Sequence, residues 1–323
     1  MISSIDDYCS EVEGILDANL AKLDALNIDE NINEEKVLAV YDKCKKYFED
    51  CANIKENDIK PKLDLGSLVL NPNEINYLYN FEGLQIYIHE DQFSICMNPI
   101  VQTSYDAGHN DFFFVLDDDN TLYTNAAANF VATADNPLKI TIKGNVGYFF
   151  GRNSSYIDVS ILGDGDAHLG YRSSNFKVMV RGNVSYEAGV SSTNMALFVG
   201  GNANFSCGKD STNLSTIIKG DVENHFGFNS KNLFAIIKGN AKRYFATHSI
   251  NLDVNVAGQI DFSDFFYYTK KSTFESSNVD TLIEAKKTLR HSGRMLFSLF
   301  NVGSNKLIEI QSDGSKEQIG RFT

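Results

Sequence analysis

No run of eighteen apolar residues occurs in this chain, so no membrane-spanning helix is expected. The opening Met-Ile-Ser-Ser-Ile-Asp-Asp has neither a basic start nor an apolar core, so no signal peptide is expected. Positive charge is scarce. Against 42 Asp and Glu stand 29 Lys and Arg, and the net charge of −13 argues against nucleic acid or an anionic membrane as main partner. Cysteine is limited to five, an odd number without framework spacing, as expected of reduced thiols in a cytoplasmic protein. Sequons such as Asn153-Ser-Ser are then chance in an Asn-rich chain. Tryptophan is absent and proline numbers four. What remains is 43% hydrophobic, enough for a globular chain, and 323 residues hold one large unit or two to three small ones.

Glycine is there, and its placement organises the chain. It falls at Gly144, Gly163, Gly182, Gly201, Gly220, Gly239 and Gly258, each 19 residues after the last. A second series, Gly151, Gly170, Gly189, Gly208 and Gly227, follows seven residues behind, with Ala246 ending it. With Gly144 as position 0, positions 13, 15 and 17 are almost always apolar: Ile157, Val159, Ile161, then Phe176, Val178, Val180, and so on to Leu252, Val254, Val256. This alternation predicts one strand per repeat with one face inward. A second apolar track runs through position 2 (Val146, Val184, Val222) and position 6 (Phe150, Leu169, Phe226, Phe245). A 19-residue unit cannot enclose these residues alone; stacked units can. The expectation is a mainly β protein built on a β-solenoid with one strand per rung. Six or seven rungs at roughly 4.8 Å each make a rod of about 30 Å.

Polar columns accompany the glycines. Position 12 reads Asn175, Asn194, Asn213, Asn232, Asn251, and position 1 reads Asn145, Asp164, Asn183, Asn202, Asp221, Asn240. Identical amides one strand spacing apart can bond along the axis. Asn tolerates the left-handed backbone of a sharp corner, and glycine supplies positive φ outright. Both columns are read as structural.

The segment Gly144-Asn-Val-Gly147-Tyr-Phe-Phe-Gly151, followed by Gly163-Asp164 and onward, resembles the GxxGxxxG repeat of the C-terminal domain of the glutamate synthase large subunit. One of the chains of formylmethanofuran dehydrogenase carries a similar repeat. The likeness covers residues 138–260, and Ser185, Asn204, Glu223 and Lys242 replace the middle glycine that Gly147 keeps. It implies a right-handed β-helix with a mainly structural role. The catalytic parts of glutamate synthase have no motif here.

Four regions are expected. Residues 1–57 read as a helical hairpin, with Ile5, Tyr8, Val12, Ile15, Leu16, Leu20 and Leu23 on the first helix and Leu38, Tyr41, Cys44, Phe48 and Cys51 on the second. Residues 58–121 read as a β-rich capping segment, with short runs at 63–70, 75–81, 84–89, 93–97 and 112–116 broken by Asn71-Pro-Asn and Glu82-Gly. The solenoid occupies 122–261, its first rung degenerate, with Asn125 and Ala132 each 19 residues before Gly144 and Gly151. Residues 262–323 read as a C-terminal cap: an aromatic cluster at 262–268, a helix at 278–291, and strands at 295–302, 306–311 and 319–322.

Position 16 alternates with the inward residues and so faces out. Its middle members are Met179, Phe198, Ile217 and Ile236, and Ala196 and Phe234 at position 14 extend the strip. A chain seldom leaves such a surface open. Its cover is either this chain's own helices or another protein, by self-association or through a partner. Position 18 adds a basic file, Lys143, Arg181, Lys219 and Lys238, suited to an acidic partner or to acids of the same chain.

No catalytic constellation emerges, and no cofactor or metal is expected. The Gly163-Asp-Gly-Asp-Ala-His168 corner occurs once, whereas calcium-binding glycine- and aspartate-rich turns work by repetition. His168 and His225 share position 5 but stand three rungs apart, roughly 14 Å, too far for one metal. Cys44 and Cys51 share a helix face without a nearby His, and Asp117, Asp118 and Asp119 suit a solvated turn. A P-loop, a dinucleotide fingerprint and a nucleophile elbow are all missing. The expected function is a non-catalytic solenoid scaffold or protein-interaction module, acting through the apolar strip and the end caps. The alternative is a carbohydrate-active or glycan-binding β-helix.

Overall fold

The computed structural model describes residues 5–26, 31–52, 63–80, 90–116, 121–122, 125–261, 273–276, 305–310 and 316–322. Among the described residues four helices come first: α1 (Ile5–Ala25), α2 (Glu34–Ala52), α3 (Pro72–Asn80) and α4 (Glu90–Asp106). Strands β1 (Asp111–Val115), β2 (Thr121–Leu122), β3 (Leu138–Lys143) and β4 (Asn145–Val146) lead into the repeats. The repeat strands are β5 (Ser155–Ile161), β6 (Ser174–Val180), β7 (Thr193–Val199), β8 (Thr212–Ile218), β9 (Lys231–Ile237) and β10 (Ile250–Val256). The described strands end with β11 (Thr273–Ser276), β12 (Asn305–Ile310) and β13 (Lys316–Phe322).

These strands form the expected parallel β-solenoid. One eleven-stranded sheet runs β1-β3-β5-β6-β7-β8-β9-β10-β11-β12-β13, parallel up to β12 and closed by antiparallel β13. Each residue of a repeat strand sits beside the residue 19 later, as in Leu197↔Thr216 and Phe198↔Ile217. A second seam of single bridges runs through position 2, from Val146↔Gly165 to Ala241↔Ile260. Positions 13, 15 and 17 meet positions 2 and 6 in the buried interior, where Phe226 and Phe245 stack 5.1 Å apart.

The turns bond from rung to rung as the strands do. His168 N–H donates to Tyr186 O on the next rung, Gly170 N–H to Phe150 O on the previous one, and Arg172 N–H to Val190 O on the next. This alternation requires a left-handed backbone at positions 5, 7, 9 and 12, where φ lies between +49° and +71° in all six rungs from Gly144 onward. Position 7 takes glycine for that reason, and position 12 takes Asn. From Gly163 onward the glycines at position 0 answer a different demand. Gly163 has no positive φ; a Cβ there would lie 2.5 Å from the Gly144 carbonyl oxygen and closer still to Asn145 Oδ1. Close stacking, not backbone handedness, excludes a side chain.

Three side-chain columns secure the stack. The position-12 amides bond to one another, Nδ2 to Oδ1, at 2.7 to 3.1 Å. The position-1 side chains instead accept the backbone N–H of position 1 one rung on, at 2.6 to 2.9 Å. The third column is serine at position 10, from Ser154 to Ser249, fully buried. Ser173, Ser192 and Ser211 each donate 2.6 Å to the position-7 glycine carbonyl of their own rung.

The N-terminal cap departs from the β-rich segment expected at 58–121. Residues 72–80 and 90–106 are helical. Asn71 Oδ1 accepts the Glu74 N–H and Glu74 Oε2 accepts the Asn71 N–H, a reciprocal cap with Pro72 in the first turn, where its missing N–H costs nothing. The buried residues Ile75, Leu78 and Tyr79, and Cys96, Met97, Ile100 and Val101, follow helical spacing. The strand expected at 112–116 is β1, which pairs with β3. The degenerate rung also exists, with its spacing corrected. Asn125 N–H bonds to Tyr148 O and Thr121 pairs with Asn145, so this rung runs 24 residues ahead of the next, not 19.

Amide side chains of α3 and α4 cover the outer edge of this first rung. Asn76 Oδ1 accepts Val115 N–H, and Asn80 Nδ2 donates to Val115 O. Asn98 accepts from Ala127 N–H and donates to Asn125 O; Gln102 does both with Val131. The helices thereby present strand-like partners to an edge that would otherwise recruit another chain. At the other end, β12 and β13 answer the strands expected at 306–311 and 319–322. The aromatic cluster at 262–268, the helix at 278–291, the strand at 295–302 and the Asp117–Asp119 turn lie outside the described residues.

Candidate functional site

The outward sheet face is divided between covered and open columns. Met179, Phe198, Ile217 and Ile236 are 4 to 8% exposed, and what covers them is α1. Cys9, Val12 and Leu16, spaced three and four apart, form one stripe of that helix and pack on the four ladder residues. Of the two covers the sequence left open, the chain's own helix is the one observed. The two N-terminal helices also bury into different partners: α2 sends Val37, Val40 and Cys44 into the main core, while α1 lies on the sheet.

The basic file fixes the register of α1. Lys219 pairs with Glu13, Arg181 with Asp17 at 2.5 Å, and Lys143 with Asp24 at 2.8 Å. Asn19 Nδ2 donates 2.9 Å to Ser160 Oγ, and Lys22 reaches Asp111 at 2.6 Å. The cations run down the stack as the acids run up the helix, so α1 lies antiparallel to the direction of rung addition. The spacing agrees: Glu13 to Asp24 spans about 16 Å of helix, and four rungs span about 19 Å. These pairs are solvent-exposed and worth about 0.2–1 kcal/mol each. Burial of Val12 and Leu16 at about 1.5–3 kcal/mol apiece outweighs them. Apolar contact holds the helix, and charge chooses its alignment.

Ala196 and Phe234 stay uncovered, Phe234 at 41% exposure. With Ile15 of α1, 36% exposed, and with Glu11, Lys177 and Ser215, they line a groove of about 520 Å³ that runs beside the helix. The six residues expected to form one interaction strip therefore serve two purposes, four as the seat of α1 and two as the open groove. The α1 residues that complete the site were missed as partners of the ladder. A signal existed: the span from Glu13 to Asp24 on the helix is close to that of the basic file from Lys219 to Lys143.

The other candidate sites resolve into structure. Asp164 belongs to the position-1 column and accepts Asn183 N–H at 2.6 Å, and Asp166 Oδ1 accepts Ala167 N–H. His168 stacks on Phe149 at 4.4 Å, with Nδ1 3.1 Å from Glu187 Oε2. His225 stacks on Tyr244, and its pKa is lowered by burial and then by nearby Lys209. Burial pushes the Cys207 thiol up to about 12, which keeps it protonated and inert. Among the described residues no cluster of His, Cys, Asp or Glu could hold a metal ion, and no helix is long and apolar enough to cross a membrane.

Fold and face together define a parallel β-solenoid with 19-residue rungs whose sheet carries a docked amphipathic helix. No family model, no curated protein and no solved structure matches the chain.

Proposed function

We propose that the protein is a non-catalytic solenoid scaffold that holds amphipathic helices on its sheet face. One observation carries this reading: the position-16 column and the basic file already seat α1 through an apolar stripe and matched ion pairs. The glycine-pattern likeness to a glutamate synthase domain of mainly structural role supports it. The test opens the seat in the full chain with Val12→Glu and Leu16→Glu and titrates in a synthetic peptide of residues 5–25. Micromolar binding is expected, and it should vanish when Phe198→Asp and Ile217→Asp are added. An opened, folded chain that ignores the peptide at about 100 μM, equivalent to less than about 5.5 kcal/mol of binding, would sink the reading.

A glycan-binding role is the second reading, carried by exposed rings along one corner of the rod. Tyr148, Tyr186 and Phe205 are 49, 52 and 38% exposed, and Tyr186 stacks with Phe205 at 5.7 Å. Apolar ring surface of this kind suits the faces of sugars. With no tryptophan present, tyrosine fluorescence reports directly. Soluble oligosaccharides should quench the wild type and leave Tyr186→Ala unchanged; no response in the wild type removes this reading.

A further inference from the structure

The face that seats α1 is twice as wide as α1. A seven-residue strand is about 23 Å long, and a helix with its side chains is about 10–12 Å across. One helix width therefore stays vacant over positions 12 to 14, where the groove of Ala196, Ser215, Phe234 and Lys177 lies. The outward side of α1 carries the small residues Gly14, Ala18 and Ala21, all exposed, with Ile15 on the flank that faces the groove. Gly14 is costly in mid-helix, by about 1 kcal/mol relative to alanine. Nothing in the fold requires it, because a Cβ there would meet no atom within 4 Å.

We propose that two copies of the chain pack face to face through this half-covered sheet, each α1 filling the groove beside its partner's α1. The proposal rests on the helix-scaffold reading and names the partner as a second copy. Size and shape support that choice. A partner helix in the same rung register brings its Ile15 over the small residues Ala196 and Ser215. Burying a face of about 30 by 20 Å on each copy removes about 1,200 Å² in total, the lower bound of a stable interface. The same packing gives Gly14 its reason, since a helix between two sheets needs a thin outer side.

The test is the solution mass of the full-length chain by light scattering and sedimentation, with Ile15→Glu and Phe234→Glu beside the wild type. Both side chains are exposed in the single chain, so each variant should keep its fold by circular dichroism. The wild type is expected at twice the mass of the chain. Each variant should associate at least about 100-fold more weakly, as a glutamate in a dry contact demands. A wild type of single-chain mass at about 100 μM overturns the proposal, and so does a dimer that both variants leave intact. Peptide binding to the opened ladder does not involve Phe234, so a failed dimer and a failed helix seat give different results.

Discussion

At Asn213 two demands meet in one side chain. Its backbone sits at φ +56°, and its amide bonds at 2.7 Å to Asn194 below and Asn232 above. Alanine loses both, glycine only the bonds. Left-handed backbone costs an L-residue about 1–2 kcal/mol, and each exposed hydrogen bond is worth about 0.5–1.5 kcal/mol. Asn213→Ala should therefore destabilise by about 2–5 kcal/mol in urea unfolding, and Asn213→Gly by about 1–3 kcal/mol. Equal losses would show that the amide column alone matters. His225 supplies a pH readout. Its depressed pKa means the unfolded chain binds more protons, so stability falls as pH drops below about 6.5. His225→Gln should flatten the fall in thermal midpoint between about pH 7 and 5. The position-12 column was legible because Asn at a fixed period has few other uses. The position-0 glycines were legible as a pattern and misread as chemistry, because a steric limit set by the neighbouring rung and a φ preference both select glycine. The buried serines of position 10 have the same period and escaped notice, since serine reads as ordinary turn residue until its oxygen is seen on a glycine carbonyl.

Among the elements, α1 gives the sharpest contrast of forces. Leu16→Ala removes the best-buried contact of its stripe and should cost about 2–5 kcal/mol. Arg181→Ala removes one exposed ion pair and should cost about 1 kcal/mol or less. Hydrogen exchange reads both locally. In Leu16→Ala the amides of α1 should lose protection while β6 to β9 keep theirs; a global loss would mean that α1 and the rungs unfold together. The repeat strands and α1 itself were readable from periodicity. The seat of α1 was not, because two readings of an apolar strip differ only in which chain covers it. Helices α3 and α4 were hidden by composition. Ile75, Tyr77 and Tyr79 look like strand, and Asn71-Pro72 looks like a break. The reciprocal Asn71–Glu74 cap was the local signal that decides for a helix.

At the scale of the whole molecule, a stack of identical rungs has two ends and little else to regulate its growth. Asn98 and Gln102 close the first end by imitating a strand. Replacing both with alanine should leave far-UV dichroism unchanged yet produce light scattering that rises with concentration and time. Clear solutions at high concentration would place the protection elsewhere in the cap.

The docking of α1 also sets an order of events during synthesis. Its stripe ends at Leu16, and its seat is finished only with Ile236, more than two hundred residues later. At about 5–20 residues per second, the ribosome takes about 10–40 s to cover that distance. Helix α1 thus leaves the exit tunnel long before its seat exists. On a crowded polysome, the nearest completed ladder during that interval belongs to the chain ahead.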